Sequence, residues 1–474
     1  MTSTRRLLGA LALVLLVPTA QPLAPSGAVE AQAREAVRGE DGIGDPYFPL
    51  DGNGGIDVVH YRIHDAYRFS DRRLRGKTRI TLLATQDLKS FNLDFLLPVH
   101  RVTVDGRNAV YDQASQRHEL VIAPKQPLRA GQRVDVVVVY AGFPERYGYR
   151  GERNWLASDQ EVVTMNQPHM APWWFPANDH PLDKALVDIR VTVPRREQVV
   201  ANGRLVSRKV SGDVATYHWK ADEPMVPYLA FFAAGRFEVS RGTHDGLPWL
   251  VAVSRRLPQE LRHDSLALME RTPAIVAWLE TRLGDYPFSQ TGGLVTSLQP
   301  GFALENQTRP TYQPTGLSTV VHELAHQWFG DSVAVHGWRD IWLNEGFASF
   351  MEQAYDEAHG GGEAQLWLES TWEAFGADDP FWKLAIGDPG APRIFAWEVY
   401  LRGAMTLQAL RHRIGETEFW TILRTWTAER EGGNGSVEEF HALAEQVSGE
   451  DLDGFFQAWL FDAARPAQTA ANGL

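Results

Sequence analysis

The sequence predicts two domains in series, an all-β domain over residues 46–240 and a mainly helical domain over 241–474 with a small sheet at its start. Three observations predict this. β-branched runs of strand length, separated by Asp-Gly and Asn-Gly turn signals, fill the first half. After Gly246 the apolar residues switch to helical spacing. No segment before residue 240 carries a helix of convincing length. A chain of 474 residues can bury two or three separate cores.

Taken in order, the chain begins with Arg5-Arg6 and an apolar stretch from Leu7 to Val17. That length suits a signal-peptide core and is too short to span a bilayer stably. Ser26-Gly27-Ala28 and Ala31-Gln32-Ala33 offer two cleavage sites, so residues 1–33 are assigned as signal peptide and leader. The paired arginines suit both an ordinary and a twin-arginine signal, and an uncleaved anchor is the alternative. The expected location is secreted, outside the cell. Residues 34–45 are polar with little apolar pattern and read as a flexible leader.

Strands follow at Val58-Tyr61-Ile63, Thr78 to Leu83, Val134 to Tyr140 and Ala185 to Val193, with turns at Asp105-Gly106 and Asn202-Gly203. A short strand, Trp249 to Val253, precedes one long helix from about Leu261 to Gly284, bent at Pro273. Further helices are expected at Leu317–Phe329, Trp342–His359, Val399–Arg413, Phe419–Glu429, Val437–Gln446 and Leu452–Phe461.

Composition excludes several classes. The net charge is −13 and no Lys/Arg run stands out, which argues against a nucleic-acid partner. The chain has no cysteine, so neither disulfides nor a lipidated N-terminal cysteine are available. No second long apolar run follows the first, so stable membrane insertion of the mature chain is not expected.

The segment His322-Glu323-Leu324-Ala325-His326 carries the chemistry. Two histidines four apart share one helix face, which suits two ligands of a tetrahedral zinc. Glu345 follows 19 positions later, far enough to come from a second helix. Two His and one Glu leave a fourth position for water, the catalytic rather than the structural pattern. Glu323 lies between the ligands as the natural general base for that water. Val320, Val321, Leu324, Ala325, Trp328 and Phe329 make an apolar surround, against the alternative of a solvated face with two surface histidines.

Five ordered stretches extend the pattern: QPHMAPWWFPANDHP at 167–181, Gly301-Phe302-Ala303-Leu304-Glu305-Asn306, HELAHQWFG at 322–330, WLNEGFAS at 342–349 and Tyr400-Leu401-Arg402-Gly403. Together they resemble the aminopeptidase N family of zinc peptidases, from about residue 46 to Pro466. The resemblance implies a saddle-like β domain packed on a thermolysin-like catalytic domain. It implies one zinc ion on His322, His326 and Glu345, with Glu323 as base and Tyr400 stabilising the tetrahedral intermediate. It assigns Glu305 to the substrate's free α-amino group and Gln167 to a second amine-binding position. Ala303 and Asn306, flanking Glu305, join the implied substrate-binding set.

Chemistry supports each role. A carbonyl under attack gains negative charge that a metal and a tyrosine hydroxyl share. A protonated amine needs an anion such as Glu305, and Gln167 can accept a hydrogen bond from it. The expected activity is therefore a secreted zinc aminopeptidase acting on peptides with a free N-terminus. A zinc endopeptidase, which has no use for Glu305, and a catalytically silent peptide- or glycan-binding module are the competing readings.

Departures from the family pattern are also present. Phe302 and Leu304 stand where the family has Gly and Met, which alters the first side-chain pocket. Arg402 replaces a lysine, a change expected to matter little. Trp173 and Trp174 either line the substrate cleft or pack between domains. Asp340 is either a partner of a zinc histidine or an exposed helix cap. The chain stops at Leu474, where family members commonly continue into further domains, so a short two-domain form with a cleft open to solvent is expected.

Overall fold

Alternation builds the first half. Along the strand Ile56–Arg68, buried and more exposed residues largely alternate. It lies inside an eight-stranded sheet with the order Arg204–Ser211, Val214–Lys220, Leu186–Pro194, Ile56–Arg68, Arg73–Ala84, Arg133–Gly142, Val99–Val104, Arg107–Asn108. The pair Leu186–Pro194 with Ile56–Arg68 is parallel and the remaining pairs are antiparallel. The four strands expected before residue 200 overlap Ile56–Arg68, Arg73–Ala84, Arg133–Gly142 and Leu186–Pro194 of this sheet. The turns form as expected, with Asp105 at φ 47°, Gly106 at φ 74° and Gly203 at φ 69°. Such left-handed angles suit Gly, Asn and Asp.

The computed structural model describes residues 35–114 and 117–474. The expected signal peptide and its cleavage sites lie outside the described residues. Part of the expected flexible leader does not. Val37–Arg38 pairs in parallel with the strand Leu88–Asp94. Asp45 is buried and accepts hydrogen bonds from the backbone N–H of Tyr47 (2.7 Å), Phe48 (3.0 Å) and Trp338 (2.9 Å). The segment looks like a leader because it is polar. It is held because those polar groups find buried partners.

The strand Phe237–His244 runs across residue 240, where composition suggested a boundary. It pairs with Leu247–Ser254, which continues into Thr291–Val295 and Thr311–Tyr312 as a four-stranded sheet. Helices follow. The single bent helix is in fact two, α1 (Gln259–Met269) and α2 (Thr272–Leu283). Pro273 does not bend a helix but opens one, in the first turn where its missing N–H is harmless. Then come α3 (Leu317–Ala325), α4 (Trp342–Ala358), α5 (Ala364–Ala374), α6 (Trp397–Ile414), α7 (Glu416–Glu429) and α8 (Val437–Ser448). The sequence did not suggest α5, whose inward face holds only Ala364, Leu368 and Trp372. The expected helix Leu452–Phe461 is one α-turn, Asp453–Phe456, passing into a wider turn over Gln457–Phe461. No helix of the described residues is long and apolar enough to cross a membrane.

One core lies beneath the β-sheets and another among the helices. Val226, Tyr228 and Leu229, from the β-rich half, insert into the helical core. Lys184 adds a polar joint, its Nζ donating to the carbonyls of Asp331 (3.1 Å), Ser332 (2.8 Å) and Gly433 (2.7 Å). Trp173 and Trp174 are fully buried in the β core and line no cleft.

A close helix crossing positions the site. α4 and α6 cross at Gly346 and Gly403. A Cβ on Gly403 would lie 2.6 Å from Gly346 Cα, so a side chain there forces the helices apart. Glu345 and Tyr400 sit beside this crossing.

Arg402, expected to matter little, is fully buried. Its guanidinium donates to the carbonyls of Trp382 (3.1 Å), Leu384 (2.9 Å), Ala458 (3.0 Å) and Asp462 (2.8 Å). A lysine ammonium has three donors on one atom and cannot span these two pairs. Arg402→Ala is expected to cost about 3–5 kcal/mol, because it strands buried acceptors. Thermal denaturation should show a fall in Tm of several degrees, with Arg402→Lys losing less. An unchanged Tm in Arg402→Ala would rule out this clasp.

Candidate active site

α3 is amphipathic and buried along the face that carries His322. The helix ends at Ala325, earlier than expected, yet His326 still donates its backbone N–H to the His322 carbonyl (3.2 Å). The two imidazoles therefore stay one turn apart. Glu345 enters from the first turn of α4. The three donor atoms converge. His322 Nε2 and His326 Nε2 are 3.0 Å apart and lie 3.4 and 3.2 Å from Glu345 Oε2. A tetrahedral ion with metal–ligand distances of about 2.0–2.1 Å has ligand–ligand edges of about 3.3–3.4 Å. The triad fits zinc.

The opposite ring nitrogens are anchored. His322 Nδ1 bonds Glu352 Oε1 (2.8 Å) and His326 Nδ1 bonds the Phe329 carbonyl (2.9 Å). These partners fix both Nδ1 atoms as donors and leave each Nε2 lone pair facing the centre. Burial by itself raises the Glu345 carboxyl, but the charges and hydrogen bonds of His326 and His322 outweigh it and hold the group down at about 2. Glu345 is thus an anion, as a ligand must be.

A cavity of about 390 Å³ opens over this triad. It is lined by Asn166 and Gln167 from the β-rich half and by Phe302, Ala303, Leu304, Glu305, Glu323, Phe395 and Tyr400. Burial pushes the Glu323 carboxyl up to about 8, against the pull of the two histidines. The Tyr400 ring stacks on His322 at 6.0 Å, and burial, then nearby carboxylates, raise its hydroxyl well above the usual value. It remains a protonated donor. Glu305 is 2% exposed; its Oε1 accepts from the Tyr228 hydroxyl (2.9 Å), and burial raises its carboxyl. Gln167 presents a buried Nε2 that has no partner among the described residues.

The structure therefore brings His322, Glu323, His326, Glu345, Glu305, Gln167, Ala303 and Tyr400 to one cavity. It does not bring Asn306 there. Asn306 is fully buried and donates from Nδ2 to the Leu229 carbonyl (3.1 Å), holding the Glu305 segment against the β-rich half. Asp340 partners no histidine. It is a cap, buried rather than exposed, accepting from the N–H groups of Gly337 (3.2 Å) and Val437 (3.3 Å).

Three supporting residues escaped sequence reasoning. Glu352 lies seven residues beyond Glu345, two helical turns on the same face of α4, and that spacing was a usable signal. Gln327 donates from Nε2 to the Glu305 carbonyl (2.9 Å) and accepts from the Thr308 N–H (2.7 Å), tying the Glu305 segment to the turn that follows α3. Tyr228 is distant in sequence from everything it serves.

Both halves of the chain resemble known proteins. The family model described as peptidase family M1 domain matches residues 291–459, and the peptidase M1 N-terminal domain matches 58–229. Aminopeptidase M1-D of Oryza sativa subsp. japonica is 27% identical over 347 residues, covering 67% of this chain and 38% of that protein. Endoplasmic reticulum aminopeptidase 1 of Homo sapiens is 28% identical over 333 residues, covering 62% of this chain and 34% of that protein. The chain thus spans well under half the length of these relatives.

Among solved structures, a mutant M1 zinc metallopeptidase from Deinococcus radiodurans bound to a Tyr-Ser-Ala substrate superposes with a TM-score of 0.82 at 25% identity. That match covers 91% of this chain and 100% of the other. The unmutated Deinococcus protein gives 0.80 at 25% identity, over 91% of this chain and 98% of its own. Both halves of the chain match family models in their proper order, so the chain belongs to the M1 family of zinc metallopeptidases.

Proposed function

We propose that the chain is a zinc-dependent aminopeptidase that removes N-terminal residues from peptides and is exported from the cell. One observation carries the choice of aminopeptidase. A buried carboxylate, Glu305, lines the same cavity as the metal triad, with the Gln167 amide also in its wall. A peptide whose protonated amine meets Glu305 would present its first carbonyl to the triad and Glu323, which line the same cavity. The curated relatives named above are aminopeptidases. Export rests on Arg5-Arg6, the apolar Leu7–Val17 stretch and the small residues after it.

His322, His326 and Glu345 would hold one zinc ion, which would supply Lewis acidity and bring the pKa of the attacking water down to about 7. Glu323 accepts the proton of the attacking water and returns it to the leaving amine. The Tyr400 hydroxyl donates to the oxygen that gains charge. Tyr228 holds Glu305 in place, and Gln167 completes the polar wall. Phe302 and Phe395, 40% and 37% exposed, border the cavity as apolar faces for the substrate's side chains.

The test is Glu305→Ala assayed on matched peptides with free and N-acetylated termini. A hydrogen-bonded charge contributes about 1.5–3 kcal/mol, so kcat/KM for the free peptide should fall about ten- to a hundredfold. The acetylated peptide, already poor, should change little. If the unmutated enzyme cleaves both peptides equally, it is an endopeptidase. If it cleaves neither while holding zinc, the silent-module reading holds.

A further inference from the structure

A second cluster, away from the catalytic cavity, combines a buried histidine with more carboxylates than it can balance. The strands Leu88–Asp94 and Glu119–Ala123 pair antiparallel, and their register sets Asp94 directly opposite Glu119. Both are fully buried. Like charges at directly opposed positions repel, and burial strengthens the repulsion. His118, also buried, sits beside them with φ 50°. Its Nδ1 is 3.2 Å from Asp94 Oδ1, yet among the described residues neither ring nitrogen makes a hydrogen bond of acceptable direction. Among the same residues Glu119 Oε1 is likewise without a partner. One donor atom from each of Asp94, His118 and Glu119 lies within 4.8 Å of the other two.

Surrounding groups fix these donors as the catalytic ligands are fixed. Glu119 Oε2 accepts from Asn92 Nδ2 (3.2 Å), which leaves Oε1 free to point inward. Asp94 Oδ2 accepts from the Asp179 N–H (2.7 Å), and Oδ1 accepts from Asn53 Nδ2 (3.2 Å). Behind His118, Asp51 Oδ1 lies 3.5 Å from Nε2. A ligating histidine commonly turns its second nitrogen toward such a carboxylate. Asp51 Oδ2 is engaged by His169 Nε2 at 2.6 Å. Asp51, Asp94, Glu119 and Asp179 are all buried, with His118 and His169 beside them.

We propose that Asp94, His118 and Glu119 bind a divalent transition-metal ion of the zinc–manganese class, a structural site separate from the catalytic one. One imidazole with two carboxylates suits those ions. Calcium prefers six to eight oxygens. None of the three residues lines the catalytic cavity. The ion would clamp the two strands to each other and, through Asn53 and Asp51, to the segment that leads into the strand Ile56–Arg68. The alternative is that protons replace the ion. Burial then drives the Glu119 carboxyl up to about 9, while Asp51 and Asp94 overcome burial to lift His118 to about 10.

The test counts metal on the purified full-length chain after chelator stripping, reloading with Zn²⁺ or Mn²⁺ alone and dialysis. Wild type should retain two equivalents by elemental analysis. E119Q and H118N should each retain one and keep peptidase activity; asparagine tolerates the left-handed backbone at 118. E345Q should also retain one but lose activity, and metal should still raise its Tm. That variant isolates the second site from the catalytic assignment and does not depend on E119Q folding. The surface trio His441, Glu445 and Asp453 is the adventitious control. An E345Q chain that holds no metal overturns the proposal. So does E119Q with two equivalents, or loss of the second equivalent in H441A.

Discussion

Glu323→Ala should lose nearly all turnover while keeping its zinc. The converging donors are His322 Nε2, His326 Nε2 and Glu345 Oε2, and Glu323 supplies none of them. It lies instead in the cavity wall, next in sequence to a ligand, with a carboxyl that burial pushes up to about 8. A carboxylate placed there can take a proton from the attacking water and return it to the leaving amine. A well-placed general base contributes about a hundred- to ten-thousandfold, which sets the expected loss in kcat. Elemental analysis and steady-state kinetics on the same sample give both readouts. Glu345→Ala serves as the contrast, since it removes one of three protein ligands and should weaken zinc binding itself. If Glu323→Ala loses metal together with activity, Glu323 is holding the site together and is not its base.

Tyr400→Phe should lower kcat by about a hundred- to a thousandfold, the usual cost of one transition-state donor. The substitution keeps the ring, so the stacking on His322 survives and the effect reports the hydroxyl alone. Ground-state binding should shift little, because the oxygen it serves carries full charge only during the reaction. Burial keeps the hydroxyl protonated across the working pH range, so its contribution should not itself titrate. A competitive inhibitor that lacks a tetrahedral centre should bind wild type and mutant alike, whereas a tetrahedral analogue should discriminate between them. Wild-type kcat in Tyr400→Phe would remove Tyr400 from the mechanism.

The chemistry and the fold class were legible in the sequence because both are written in short periods. A four-residue spacing on one helix brings His322 and His326 together whatever surrounds them. Period-two alternation marks Ala185–Val193 as half-buried strand before any partner is known. Glu305, Gln167 and Tyr400 came from the family resemblance, and the structure gathers all three at the cavity.

The supporting contacts were not legible, because they join residues whose separation in sequence carries no local signal. Tyr228 reaches Glu305 across 77 residues and Glu352 reaches His322 across 30. Arg402 looked like an exchange for lysine until four carbonyls from two separate segments were seen around it. Gly346 and Gly403 are unremarkable in sequence and become necessary only where two helix backbones nearly touch. Asp94 and Glu119 are ordinary acids on separate strands until register sets them face to face. Sequence alone determined the spacing of the candidate metal ligands and most of the segments that are strand or helix. Tertiary structure decided which buried groups hold them in place, because burial and partner geometry arise only when distant segments pack.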